Sequence, residues 1–156
     1  MQKKETLKFI LLDSLTALTS WVLFFMFRKE LENQAFEIQD NALIKGAIII
    51  CFFWICLYGL SGKYQNVLRA SRLQEFYKTL SQTTIGCIII FFILIIDDIE
   101  YQKNYNYYYK SIVFLFSTHF TLTFAFRYIL TSRIVQKIKT GKIGFKTIII
   151  GSSKRA

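Results

Sequence analysis

The chain has 156 residues, of which 53% are hydrophobic, and it carries a formal net charge of +10. Its apolar residues are grouped into four blocks of roughly the ~20 residues that span a hydrocarbon core, whereas a soluble domain of this length interrupts such residues with turn signals. These features exclude an ordinary soluble domain and predict a membrane protein.

The first apolar block follows a short basic head and predicts a membrane-spanning helix that is retained. It runs from Phe9 to Phe27 and is interrupted only by Asp13 and a few Ser and Thr residues. A signal peptide has a shorter apolar core of ~7–15 residues and a small-residue cleavage site, and this segment has neither. Three more blocks follow between polar links, and residues 1–130 are the predicted transmembrane domain, with spans at 9–27, 42–60, 79–96 and 111–130.

Lys and Arg are unevenly divided between the two sides of these spans. Basic residues near span ends are retained in the cytoplasm, while acidic residues carry little weight. The head, the central link between spans two and three, and the tail hold fifteen of the twenty basic residues; the other side holds Arg28, Lys29, Lys45, Lys103 and Lys110. We therefore expect both termini and the central link to be cytoplasmic.

The positive charge is explained by the membrane without invoking nucleic acid. The basic residues lie beside spans, where anionic headgroups offer ~1 kcal/mol for each of them. We expect the lipid bilayer as a partner and no nucleic acid. In the central link, Lys63, Arg69 and Arg72 are the candidates for contacts with headgroups or with an anionic carrier lipid.

Two ionisable residues within the outer spans are predicted to meet. At ~1.5 Å per residue, Asp13 in span one and Arg127 in span four both lie ~6–9 Å below the cytoplasmic boundary. His119, Thr123 and Arg127 recur every four residues and form one polar stripe. We expect spans one and four to be neighbours, Asp13 to pair with Arg127, and His119 to be hydrogen-bonded deeper in the bundle. The alternative is that Arg127 reaches out to the headgroups while Asp13 is protonated or hydrated.

The sequence shows no constellation of catalytic, cofactor-binding or metal-binding residues. Cys51, Cys56 and Cys87 fall inside spans, without the spacing or the His and carboxylate company of a metal site. We expect them to be packing residues.

The sequence of the carboxy-terminal segment predicts a β-strand that begins an α/β domain. Residues 145–156, FKTIIIGSSKRA, read as a short buried strand followed by a Gly-led turn, as at the start of an α/β nucleotide-binding unit. The phosphate turn of such units is G-x-G-x-x-G/A, and this chain has Gly151, Ser153 and Ala156 at those positions. Because a strand cannot stand alone, we expect residues 131–156 to be a basic cytoplasmic linker and the beginning of a truncated nucleotide-binding-like domain.

Three segments together resemble the amino-terminal region of bacterial polyprenyl glycosylphosphotransferases, and the resemblance covers essentially the whole chain. They are GKYQNVLRASRLQEF (residues 62–76), RYILTSRIVQKI (127–138) and KIGFKTIIIGSSKRA (142–156). The most specific positions in the link are Tyr64, Arg69, Ser71, Arg72, Leu73 and Glu75.

The resemblance implies a protein of the bacterial inner membrane that begins exopolysaccharide or O-antigen synthesis. That family moves a hexose 1-phosphate from a nucleotide sugar onto polyprenyl phosphate. Its catalytic acidic residues, magnesium site and re-entrant helix lie in a carboxy-terminal domain, so no catalytic residue is carried over to this chain, which we expect to be inactive alone. Polyprenyl phosphate and nucleotide sugar would bind through that domain. The sequence is also compatible with an oligomer.

Two alternatives remain open. Membrane-bound nucleotide-sugar dehydratases share the layout of four spans before an α/β domain, although the side chain of Ser153 would crowd a dinucleotide pyrophosphate. A small self-contained four-span transporter or scaffold is the other alternative. The unfinished strand and the lack of a signature for a carried solute count against it.

Overall fold

The computed structural model describes residues 2–31, 40–65, 67–69, 71–97 and 106–144, except for the side chains at positions 2, 69, 97 and 107. Regular structure in these ranges is entirely helical. The elements are α1 (Gln2–Leu31), α2 (Asn41–Leu60), a 3₁₀ turn (Val67–Arg69), α3 (Arg72–Asp97) and α4 (Asn106–Lys139). No strand occurs in these ranges, and the strand expected in residues 145–156 lies outside them.

All four α-helices are long and apolar enough to cross a membrane. The segments that meet this condition are Lys3–Leu31, Asn41–Leu60, Arg72–Ile96 and Tyr108–Lys139. Large apolar side chains such as Phe52, Ile48 and Ile96 are about two-thirds exposed on the bundle surface, as lipid-facing residues would be. The prediction of a helical, multi-pass membrane protein with four spans is confirmed.

Three of the helices extend beyond the apolar runs that predicted them. α3 begins at Arg72, inside the central link, because Ser71 caps it: its Oγ accepts a hydrogen bond from the backbone N–H of Gln74 at 3.2 Å. The sequence matches the capping-box pattern, with Ser at the cap and Gln three residues later, and this hydrogen bond is the serine half of that motif. α1 begins before Phe9, and α4 continues past Leu130 through residues predicted as linker.

Two glycines end helices in the same way. Gly62 and Gly141 have positive φ angles of 65° and 71°, which only glycine adopts without strain. At the end of α2, the N–H of Lys63 donates to the carbonyl of Tyr58 and the N–H of Gly62 donates to that of Gly59. This is a Schellman motif, and the same pair of bonds closes α4 at Gly141.

The helices alternate in direction, which gives the bundle two distinct ends. The link end contains the described residues of the central link (61–65, 67–69 and 71), together with the start of α1 and the end of α4. At the opposite end, α1 finishes and α2 begins. α1 packs on α2 and α4, and α3 packs mainly on α4.

The opposite end has an aromatic and aliphatic core. Helix approach is close there, since a Cβ at Gly46 would lie 2.2 Å from the ring of Trp21, and one at Gly86 would lie 2.4 Å from the ring of Trp54. The buried residues of this core include Trp21, Phe24, Phe25, Leu43, Ile50, Trp54, Ile90 and Leu115. At the link end a smaller apolar cluster of Phe9, Val67 and Ile134 joins α1, the central link and α4.

Candidate functional site

Polar side chains form a stripe along the inner faces of three helices. On α4, His119, Thr123, Arg127 and Thr131 recur every four residues, and all four are fully buried. Residues at this spacing share one face of an α-helix. The facing buried polar residues are Asp13, Thr16 and Ser20 on α1, and Glu75, Thr79 and Thr83 on α3.

The structure brings Asp13 and Arg127 into direct contact. Arg127 Nε donates to Asp13 Oδ1 at 2.8 Å, and Arg127 Nη2 donates to Asp13 Oδ2. Both side chains are fully buried. Such a bidentate, charge-assisted pair fixes the relative rotation and height of α1 and α4.

Two further residues form hydrogen bonds to this pair. Glu75 Oε2 accepts a hydrogen bond from Arg127 Nη1 at 3.3 Å, which ties α3 to α4. Tyr64 in the central link donates its hydroxyl to Asp13 Oδ2 at 2.8 Å. Together with Lys63, these side chains are called the ion cluster below. The cluster joins α1, α3, α4 and the central link.

Aromatic rings enclose the guanidinium of Arg127. Its Cζ lies 5.3 Å from the ring centroid of Phe9, 5.2 Å from that of Tyr58 and 5.8 Å from that of Tyr64. These separations fall within the range of cation–π contacts. Because the rings exclude water, the attraction between Arg127 and its carboxylates is screened only weakly.

Lys63 is the second cation of the cluster, and it is buried. It was predicted to contact headgroups, but the turn at Gly62 directs it into the bundle, where its side chain donates to Thr79 Oγ1 at 2.9 Å. Its Nζ also lies 4.7 Å from the ring centroid of Tyr58. Burial, assisted by the positive charge of Arg127, lowers the pKa of Lys63 from 10.5 to about 7.

The ion cluster thus brings two acidic side chains, Asp13 and Glu75, together with two basic ones, Arg127 and Lys63, in the interior of the bundle. Burial and the charge of Asp13 raise the pKa of the Tyr64 hydroxyl above its usual value, so this group stays a hydrogen-bond donor.

His119 lies deeper in the bundle and connects three helices. Its Nδ1 is 2.9 Å from Ser20 Oγ on α1, and its Nε2 is 2.9 Å from the Tyr58 hydroxyl on α2. The indole of Trp54 stacks on the imidazole with ring centroids 3.9 Å apart. Both ring nitrogens thus have partners, as a buried histidine requires.

The remaining predicted residues lie apart from the ion cluster. Arg72 is exposed, and its Cζ sits 5.4 Å from the ring centroid of Tyr128, while the side chain of Arg69 lies outside the described part of the chain. Cys51, Cys56 and Cys87 are free thiols, of which Cys87 is buried. In the part of the chain that the structure describes, no group of three or more His, Cys, Asp or Glu residues is placed to hold a metal ion.

The hydrogen bonds of the ion cluster are suited to holding helices together. Each of the three Arg127 nitrogens described above donates to a carboxylate of the chain itself, and Asp13 accepts from both Arg127 and Tyr64. Charged groups held in this way are neutralised within the protein. The arrangement can therefore fix helices and the central link in one register.

Sequence reasoning missed Glu75, Tyr64 and Lys63 as cluster members. Glu75 did carry a signal, because it precedes Thr79 and Thr83 at four-residue spacing on one helix face. Tyr64 and Lys63 lie in a turn, where no periodicity indicates which side chains point inward.

Comparison of this chain with known protein families, with curated proteins and with solved structures gives no match.

A double-mutant cycle measures the coupling between Asp13 and Arg127. Either Asp13→Asn or Arg127→Gln strands a buried charge, so each single substitution should lower the free energy of unfolding by about 3–5 kcal/mol. The double variant should lose less than the sum of the two, with a coupling energy of about 0.5–3 kcal/mol. Unfolding in detergent, followed by circular dichroism, gives these values.

Lys29 and Asp40 supply a matched control cycle at the opposite end of the bundle. Their charged atoms are 3.5 Å apart, and their side chains are partly exposed at 21% and 28%. The substitutions Lys29→Gln and Asp40→Asn should couple by only about 0.2–1 kcal/mol, because solvent screens the pair. Strictly additive losses at Asp13 and Arg127 would contradict the role assigned to their contact.

Proposed function

We propose that this chain is the membrane region of a bacterial sugar transferase that moves a hexose 1-phosphate from a nucleotide sugar onto polyprenyl phosphate. The observation that carries the proposal is the position of the residues behind the family resemblance. Tyr64 and Glu75 from the central link segment and Arg127 from the next segment all belong to the ion cluster. The resembled pattern therefore coincides with the contacts that build this bundle.

In this proposal the link end faces the cytoplasm of a bacterial inner membrane. The support is the excess of Lys and Arg in the head, the central link and the tail. Nucleotide sugars are cytoplasmic, so a transferase domain following the tail would then meet its substrates on the correct side. The catalytic acidic residues and a magnesium site belong, in this proposal, to such a carboxy-terminal domain.

In this proposal, the role of α4 is to hold the following domain in position. α4 continues to Lys139, and its last turns are held by the ion pair between Lys137 and Glu5, whose Nζ and Oε1 atoms are 2.8 Å apart. Ile134 packs against Phe9 and Val67 on the same segment. A helix fixed in this way would hold a following domain at a defined height above the membrane surface.

Transfer of the sugar-linked phosphate tests the function directly. Membranes carrying the full gene product receive nucleoside diphosphate hexoses labelled with ³²P at the β-phosphorus, together with polyprenyl phosphate. Hexose 1-phosphate transfer should move the label into the organic-soluble lipid and release the nucleoside monophosphate. The 156-residue chain alone serves as the control and should transfer no label.

The outcomes of this assay separate the alternatives. A dehydratase would leave the label in a water-soluble nucleotide sugar, and a transporter or scaffold would leave the substrate unchanged. Either result with the full gene product, or transfer by the 156-residue chain alone, would contradict the proposal.

Membrane orientation is tested by cysteine labelling in intact cells. In a background without the three native cysteines, Gln65→Cys at the link end and Asn106→Cys at the opposite end are exposed positions. An impermeant maleimide should label Asn106→Cys at once and Gln65→Cys only after the membrane is permeabilised. The reverse pattern would overturn the proposed sidedness.

A further inference from the structure

Lys63 differs from the other charged members of the ion cluster because it is buried without an ion pair. Its residue is 5% exposed. Among the described residues, its Nζ has one hydrogen-bond acceptor, Thr79 Oγ1 at 2.9 Å, and the ion pairs of the cluster are both made by Arg127. Burial of an ammonium group without a paired carboxylate is costly, so this position favours the neutral amine.

The surroundings of Lys63 leave little room for a second cation. The titratable or charged groups around it are Asp13 on α1, Tyr58 on α2, Tyr64 in the central link, Glu75 and Lys78 on α3, and His119 and Arg127 on α4. Arg127 donates to both carboxylates and keeps its charge at any ordinary pH. Asp13 and Glu75 favour the ammonium form of Lys63, but burial and the charge of Arg127 outweigh them.

The position of Lys63 gives its side chain a short route out of the bundle. α2 ends at Leu60, and Lys63 follows the turn at Gly62, between the exposed residues Ser61 and Gln65. A lysine at the end of a span can extend its long aliphatic stem and place its ammonium group at the membrane surface. The alternative to an ammonium group in the interior is therefore one that reaches water and headgroups.

We propose that Lys63 is a pH-dependent anchor of the central link: the neutral amine holds residues 61–65 on the bundle, and the protonated amine leaves the interior and loosens them. The neutral amine keeps the hydrogen bond to Thr79 and the contact with the ring of Tyr58, 4.7 Å from Nζ to the centroid. Tyr64 follows directly in the chain, so movement of Lys63 acts on the residue that bonds to Asp13. This proposal depends on the contacts of the link alone and is independent of sugar transfer.

The direction of the pH dependence follows from the two environments of Lys63. Its pKa is about 7 in the interior, against the ordinary value of 10.5 in water. Between these values, release of the side chain takes up a proton, so the anchored form loses up to about tenfold in population for each unit by which the pH falls. Below pH 7 this residue causes no further change. The raised pKa of the Tyr64 hydroxyl keeps that group a donor throughout this range.

Electron paramagnetic resonance of a spin label on the link tests the proposal. A nitroxide is attached at Gln65→Cys in the chain without its three native cysteines, purified in detergent, and the ratio of mobile to immobile label is measured from pH 7 to pH 10. This ratio should fall as the pH rises, by up to about tenfold per unit. The matched control Lys4→Met, which removes an exposed lysine at the same end of the bundle, should keep this dependence.

Two substitutions at Lys63 should have opposite effects. Lys63→Met carries no charge, so its link should stay immobile at every pH. Lys63→Arg stays charged and should give a mobile link at every pH. Circular dichroism of each variant verifies that the helices are formed. A ratio that does not change with pH in the labelled parent chain, the parent's pH dependence retained in Lys63→Met, or an immobile link in Lys63→Arg would each overturn the proposal.

Discussion

The contact between Asp13 and Arg127 is the constraint on which the link end of the bundle depends. Both side chains are fully buried, and an arginine cannot lose its charge to escape burial. The guanidinium therefore needs carboxylates on neighbouring helices, and Asp13 and Glu75 supply them from α1 and α3. Because a buried unpaired charge is so costly, the positions of three helices are linked through one side chain.

The central link is part of the same arrangement. The Schellman turn at Gly62 reverses the chain and sends Lys63 inward, while Tyr64 reaches Asp13. Val67 then packs on Phe9 and Ile134. A segment that looks like a simple polar loop in the sequence is thus fixed to the bundle by polar and apolar contacts together.

The bundle has two halves with different chemistry. Toward the link end its interior contains the ion cluster and a row of buried threonines, whereas toward the opposite end it contains tryptophan, phenylalanine and aliphatic side chains. The stacked pair of Trp54 and His119 lies at the boundary. The polar half of the interior is therefore the half that lies next to the central link, the start of α1 and the end of α4.

Much of this architecture could be predicted from the sequence, because spans are set by apolar length and helix faces by four-residue spacing. Depth along the two spans placed Asp13 and Arg127 at one level, and the structure places them in hydrogen-bond contact. Glu75 was overlooked as a partner of Arg127 because it precedes the apolar run of α3, where hydropathy gives no sign of a buried charge. The inward direction of Lys63 depends on a single glycine turn, which hydropathy does not encode. The extension of α4 from residue 130 to Lys139 was also missed, because its last turns are amphipathic and are not part of an apolar run. These turns pack on α1.

Hydrogen exchange in the Asp13→Asn variant tests the central claim most directly, because it reports local stability along the chain. If the ion cluster holds the link end, backbone amides in residues 61–80 and 127–139 should exchange faster than in the unaltered protein. Amides of residues 43–54, which belong to the aromatic half, should keep their protection. Unchanged exchange throughout, or an equal increase in both halves, would contradict the account.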